Sequence, residues 1–400
     1  MILNIWGIEE KSLTTGAANI IWRAWNNISK VEKVIIILSG DKLKVRRQGN
    51  EMIILCLKYP RPSRYKWLQR CLTLVFKEIA PQVLLNLDSI IFSISCLIKL
   101  WRIIKYSRCI HTYQFWFALF SVFFPSLRKK LIYTELGGEW IEIVKYKVPF
   151  IIRFRYLCLA RWAFKYIRRV IVQSEINKLM MKLCNVDISR IKVVRHARGD
   201  PKMFKPIKEK SESPFKVLYV GRIVPQKGLH ILVEAGKILV KDKGYTDIKF
   251  IIVGPIGGFG LNSTSEYFNK VKSTIYRYGL NRYFIFKYFV DLNELISLYS
   301  SSNIYVLPSF QDAMPSSVVE AMMCGTPVIG TKSGGMMEQI KHGITGFLVE
   351  PGDVVGLVNF IEYFLRNRGE CIRMGYEARK RAIKLFSIDH FWFELYQAIR

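Results

Sequence analysis

Arg222 and Lys227 lie five residues apart in the segment Gly221-Arg222-Ile223-Val224-Pro225-Gln226-Lys227-Gly228, directly after the apolar run KVLYV. A glycine straight after a strand lets the backbone turn tightly, and two cations at that spacing can grip a diphosphate from two sides. Taken alone, the segment also fits an ordinary charged loop between strand and helix. A second apolar run, IKFIIVG, ends in Gly254-Pro255-Ile256-Gly257-Gly258. Open α/β sheets bind ligands outside the carboxyl ends of their strands, and both loops fall on that edge.

The most specific segment runs from Pro308 to Met322 and sets Asp312 and Glu320 eight positions apart. Between them, Met314, Pro315, Ser316, Ser317 and Val318 open a helix, whose free N–H groups and dipole suit a phosphate. Glu320 lies in the apolar run VVEAMM, where a carboxylate needs a partner, and ribose hydroxyls would supply one. Asp312, ahead of the turn, is placed to meet the hydroxyls of a sugar. The plainer alternative for acids near a helix start is capping and solvation.

These segments need strands to hold them, and the apolar runs supply strands. In the second half the pattern alternates: strand 216–220, helix about 228–240, strand 249–253, helix about 265–278, strand 284–286, helix 292–300, then strands 304–306 and 327–330. Strands that read as continuous apolar runs between helix-length segments indicate parallel βαβ units. The first half shows strand candidates at its N-terminus and at 33–39, 52–57, 131–134, 170–173 and 191–194, with a helix over about 63–79. The Pro- and Ser-containing segment 203–214 reads as a linker. The expected division is a first domain over 1–205 and a second over 206–387, with a helix over about 388–400 crossing back to the first.

Composition narrows the class. The chain has 400 residues, half of them hydrophobic, which excludes disorder and collagen-like architecture. The apolar stretches 83–98 and 115–124 are too short or too interrupted for a transmembrane helix and suit core elements. The start, MILNIWGIEEKS, carries acids where a signal peptide has a basic stretch, so a cytoplasmic-side protein is expected. Eight scattered cysteines without CxxC spacing read as core residues in a reducing compartment, and no metal site is expected.

Charge is distributed unevenly. Residues 1–200 hold 35 basic and 13 acidic side chains, whereas residues 201–400 hold 26 and 18. From 145 to 198 there are 14 basic residues against Glu175 and Asp187, interleaved with aromatics. On one helix Arg153, Arg161, Lys165 and Arg168 would share a side, and a basic amphipathic helix with aromatics reads as a membrane-surface element. The segment 61–70, RPSRYKWLQR, is a second basic-aromatic patch. An anionic membrane surface is the expected partner. No nucleic-acid recognition motif accompanies the charge, so nucleic acid is not.

Together with Cys324–Ile329, Ser333–Glu338 and Gly343–Asp353, the second-half segments resemble, in order over about 215–387, the donor half of glycosyltransferase family 4. That resemblance implies a GT-B-type α/β fold, two Rossmann-like doubly wound domains facing each other across a cleft. It implies retaining transfer of a sugar from a nucleoside diphosphate, usually without a metal and with no cofactor beyond the nucleotide-sugar co-substrate. Arg222 and Lys227 would then bind the diphosphate, Glu320 the ribose, and Asp312 with the 314–318 loop the sugar and phosphates, beside Gly221 and Gly254. Asp312 stands where the family commonly has Glu. In the first half, Thr15-Gly16-Ala17 resembles a Gly-Gly-Ala turn facing the diphosphate, with one glycine replaced. Leu136 occupies a position where many members carry His, leaving Glu135, Glu139 or His111 as candidates to face the acceptor. Charge and resemblance together point to a lipid or lipid-linked acceptor at the inner membrane face. A soluble saccharide acceptor, or a silent scaffold that binds sugar nucleotide without turnover, is the alternative.

Overall fold

A computed structural model describes residues 1–9, 25–40, 44–48, 52–58, 80–135, 158–183, 185–195, 199–255 and 263–400. The chain divides into two compact units, Met1–Arg195 with Phe391–Arg400, and His196–His390. The segment 203–214 lies inside the second unit, tied to it by Ser211 N–H donating to Ser301 O at 3.0 Å and Asn303 Nδ2 donating to Ser211 O at 2.7 Å.

The first unit is built on an eight-stranded sheet: β1 (Ile2–Glu9), β2 (Val34–Gly40), β3 (Lys44–Gln48), β4 (Met52–Lys58), β5 (Cys109–Thr112), β6 (Leu131–Thr134), β7 (Arg169–Val172) and β8 (Ile191–Val193). Their order is β3-β4-β2-β1-β5-β6-β7-β8. All pairings are parallel except β3 against β4, which is antiparallel at the edge. The apolar, β-branched strands VIIILSG and LIYT suit a sheet buried on both faces. The charged strand KVRRQ suits an edge. Helices α1 (Ala80–Lys99), α2 (Trp101–Tyr106), α3 (Phe115–Ser121) and α4 (Pro125–Arg128) belong to this unit, and a core of Phe92, Phe117, Leu131, Phe164 and Val170 fills the space beside the sheet.

The second unit carries six parallel strands: β9 (Phe215–Val220), β10 (Ile248–Val253), β11 (Phe284–Lys287), β12 (Ile304–Leu307), β13 (Val328–Thr331) and β14 (Gly346–Val349). Their order is β11-β10-β9-β12-β13-β14, so the chain winds one way from β9 to β11 and the other way from β12 to β14. Helices α5 (Leu229–Lys237) and α6 (Ser316–Met323) follow β9 and β12. This is the doubly wound arrangement, and its topological switch point lies between β9 and β12.

The last helix, α7 (Ile388–Ile399), starts in the second unit and ends in the first. Arg169 donates to Ala398 O, and Arg168 Nη2 donates to Arg400 O at 2.9 Å, so two cations satisfy carbonyls that a helix end leaves open. This corrects the basic helix face expected from sequence. The helix there spans residues 158–164 and ends before Lys165 and Arg168. Arg168 is therefore engaged with the chain's own C-terminal helix. Arg153 and the 61–70 patch lie outside the described residues.

Candidate functional site

The loops after β9 and β12 meet at the switch point. Gly221 N–H donates to Val253 O at 2.9 Å and Ile223 N–H to Pro255 O at 3.0 Å, so the loop after β9 lies against the loop after β10. Gly254 has φ +146, and a Cβ there would come within 2.0 Å of Gly221 O. Gly228 has φ +69, and a Cβ there would come within 1.9 Å of Pro308 O. Only glycine lets these backbones approach so closely. Phe310 N–H and Ser309 Oγ both donate to Gln226 O, at 2.8 and 3.0 Å, and stitch the β9 loop to the β12 loop.

This stitching brings Lys227 to Asp312. The ammonium donates to Asp312 Oδ2, with the side chains 17% and 14% exposed. The groups expected from sequence to hold diphosphate and sugar therefore pair with each other. Asp312 is fixed from behind: Gly335 N–H donates to Asp312 O at 3.1 Å and to Ala313 O at 2.8 Å, and Ser333 Oγ donates to Phe310 O at 3.1 Å. Arg222 is exposed, and its backbone carbonyl accepts from the buried Tyr219 hydroxyl at 3.1 Å.

Pro315 precedes α6, and its carbonyl accepts from Gln339 Nε2 at 3.0 Å. Met314, Pro315 and Val318 are buried, while Ser316 and Ser317 are half-buried at the first turn. First-turn N–H groups have no partner within their own helix. The Tyr305 hydroxyl sits 3.0 Å from Val220 O and 2.7 Å from Ser317 Oγ. It gives its one proton to the carbonyl and accepts from the serine, joining the end of β9 to the start of α6. Glu320, one turn further on, accepts from the Tyr299 hydroxyl at 2.9 Å. Burial is the first cause that raises both tyrosines above their usual range, so both stay protonated donors.

Tyr305 was not marked by any sequence pattern, because it reads as one more residue of a buried strand. His230, in the first turn of α5, reads in sequence as an ordinary core or surface histidine. Its ring stacks on Phe310 at 5.6 Å and 9°, and its Nδ1 lies 2.9 Å from the Tyr267 hydroxyl. Burial lowers its pKa and lifts that of Tyr267 to about 12. His230 thus braces the Phe310 loop.

The acceptor-side candidates behave differently. His111 is fully buried, with Nδ1 3.1 Å from Asn4 Oδ1 and Nε2 2.6 Å from Thr134 Oγ1. Burial drives its pKa to about 3, so it is a neutral ring pinned between β1 and β6. Glu135 is buried too and accepts from Asn177 Nδ2 at 3.3 Å. Both side chains are thus buried and hydrogen-bonded within the first unit, His111 inside the sheet and Glu135 just beyond the end of β6. Glu139 and Gly16 lie outside the described residues. Among the described residues no cluster of three or more His, Cys, Asp or Glu could hold a metal ion.

Residues 202–381 match the sequence profile of glycosyl transferases group 1. Over 181 residues the chain is 30% identical to the capsular polysaccharide biosynthesis glycosyltransferase CapM of Staphylococcus aureus, covering 45% of this chain and 44% of that protein. The chain therefore matches less than half the length of that relative. In three dimensions it resembles the Anabaena protein HepE solved in complex with UDP, with a TM-score of 0.71 at 18% identity over 99% of this chain and 98% of that one. Sucrose-phosphate synthase from Thermosynechococcus elongatus gives a TM-score of 0.73 at 19% identity over the same shares. The chain has a GT-B-type fold of two Rossmann-like domains, and within its second unit residues 202–381 match glycosyl transferases group 1.

Proposed function

We propose that the protein is a retaining glycosyltransferase that moves a sugar from a nucleoside diphosphate to a lipid or lipid-linked saccharide at the cytoplasmic face of a membrane. The observation that carries this reading is the convergence of Arg222, Lys227, Asp312, the start of α6 and Glu320 at one switch point. Ligands of doubly wound sheets bind there. The cations and first-turn N–H groups are suited to the charge that develops on a departing diphosphate, and preorganised donors of that kind lower the barrier electrostatically. Glu320, aligned by Tyr299, takes the ribose hydroxyls, and the Lys227–Asp312 pair opens so that each meets its own part of the donor. No metal is required in this scheme. Capsular polysaccharide biosynthesis in the matched relative, and UDP in the matched structure, accord with a saccharide product and a nucleotide donor.

The test is a melting screen with UDP, GDP, ADP and their sugar conjugates, followed by turnover with lipid-linked saccharides in the presence of EDTA. A nucleotide at about 100 times its dissociation constant stabilises a protein by about 2.7 kcal/mol. One nucleotide sugar should raise the melting temperature and transfer its sugar with the anomeric configuration kept. No shift with any nucleotide would refute the donor site, and inversion in the product would refute the mechanism.

A further inference from the structure

The first unit exposes an apolar surface on the side where the chain enters β5, β6 and β7. Ile94, Ile98, Arg102 and Lys105 follow one another at steps of four, four and three along α1 and α2, which places them on one side of nearly continuous helix. Ile98 is 73% exposed and Tyr106 77%. Phe123, in the turn between α3 and α4, is 62% exposed. Ring contacts join these pieces into one surface: Trp101 to Phe124 at 4.8 Å, Phe123 to Trp162 at 4.9 Å, and Trp162 to Tyr166 at 5.5 Å, with Arg128 4.4 Å above the Tyr166 ring.

Single exposed apolar residues are ordinary, but a contiguous patch rimmed by charge marks an interaction surface. Residues 80–130 and 158–168 contain ten Lys and Arg and one acid, Asp88, and of these cations Arg108 is paired with Glu32, so the face carries a strong excess of positive charge. A second copy of the same face would meet like charge, so a self-association is disfavoured. Tryptophan, tyrosine and phenylalanine with flanking lysine and arginine match the headgroup region of a bilayer, where the rings sit at the interface and the cations meet anionic lipid.

We propose that this face, built from α1, α2, the 122–124 turn and the 158–166 segment, docks the protein on an anionic bilayer. The proposal rests on the membrane reading above but places the contact on elements other than the basic helix face expected from sequence. The experiment is flotation of the full chain with vesicles of phosphatidylcholine alone and of an equal mixture of phosphatidylcholine and phosphatidylglycerol. The protein floats with the mixed vesicles only, and salt reduces the bound fraction. Each cation near an anionic surface is worth about a fivefold factor in affinity. The pair Arg102→Glu/Lys105→Glu should therefore lower vesicle affinity at least about tenfold, and Phe123→Ser/Phe124→Ser should abolish flotation. The charge-reversal pair is exposed and tests the face even if the aromatic pair fails to fold. Nucleotide binding, measured by calorimetry without vesicles, stays unchanged in the charge-reversal variant and reports on the donor site separately. Wild-type protein that stays at the bottom of the gradient, as binding to an acidic protein would leave it, overturns the proposal. So does charge-reversed protein that floats like wild type.

Discussion

Lys227 and Asp312, 85 residues apart in sequence, form an ion pair across the loops that leave β9 and β12. In the proposed function each would meet a different part of a nucleotide sugar, and the pair would open to bind it. A double-mutant cycle with Lys227→Ala, Asp312→Ala and the combination should show a coupling of roughly 0.5–3 kcal/mol in urea unfolding without ligand. Strictly additive single effects would mean that the pair contributes nothing in the resting state.

Lys227→Ala and Glu320→Ala should both lose turnover with the fold retained. One charge-assisted contact to a phosphate or hydroxyl is worth about 1.5–3 kcal/mol, a factor of roughly ten to a hundred or more in kcat/KM. Transfer at the wild-type rate in both variants would remove the donor-site assignment, and far-ultraviolet circular dichroism separates that from misfolding.

Gly254→Ala tests the close approach of the loops that follow β9 and β10. The new methyl would lie 2.0 Å from Gly221 O at φ +146, so one loop must move. The cost should be about 1–3 kcal/mol. At about 2–4 °C per kcal/mol for a unit of this size, the fall in Tm is easily read by calorimetry. Nucleotide affinity should fall in parallel. An unchanged Tm would show that the loops are not locked together.

Tyr305→Phe removes the hydroxyl between Val220 O and Ser317 Oγ. Leaving a buried acceptor without its donor costs about 1–3 kcal/mol. Because the lost bond ties β9 to the start of α6, nucleotide affinity measured by calorimetry should weaken as well. Loss of stability with full affinity would make Tyr305 a core residue only.

His111 predicts a pH dependence of stability. Its folded pKa of about 3 lies below the ordinary value of 6.5, so the unfolded chain binds more protons between those limits. Stability therefore falls as pH drops below about 6.5, at up to about 1.4 kcal/mol per pH unit from this residue. His111→Gln should flatten the slope of unfolding free energy between pH 6.5 and 5. An unchanged slope would mean that the ring is already charged in the folded protein.

Much of the second unit can be read without coordinates. The runs in β9, β10 and β12 are apolar, β-branched or aromatic, and end at glycine or proline, so both their existence and their edge are legible. β14 is not: GFLV is short and opens on glycine, a residue that strands disfavour. β3 is hidden for a different reason, since KVRRQ is mostly charged and only an edge tolerates it. His111 shows where local inspection stops. Asn4 lies beside it across β1 and β5, and Thr134 reaches it from β6, so its role depends on strand order rather than on neighbours in sequence. The Lys227–Asp312 pair is likewise set by the approach of Gly228 to Pro308, which no spacing reveals.

The crossing of α7 from one unit to the other has a consequence for how the chain is made. The first 195 residues leave the ribosome before the second unit, whose residues run to 390, and only then do Phe391–Arg400 follow to complete the first. At about 5–20 residues per second, roughly ten to forty seconds separate the two events. Over that interval Arg168 and Arg169 lack the carbonyls of Ala398 and Arg400, and Cys109 lacks its contact with Ile399 O. The first unit thus gains its last helix only after the whole of the second has been synthesised.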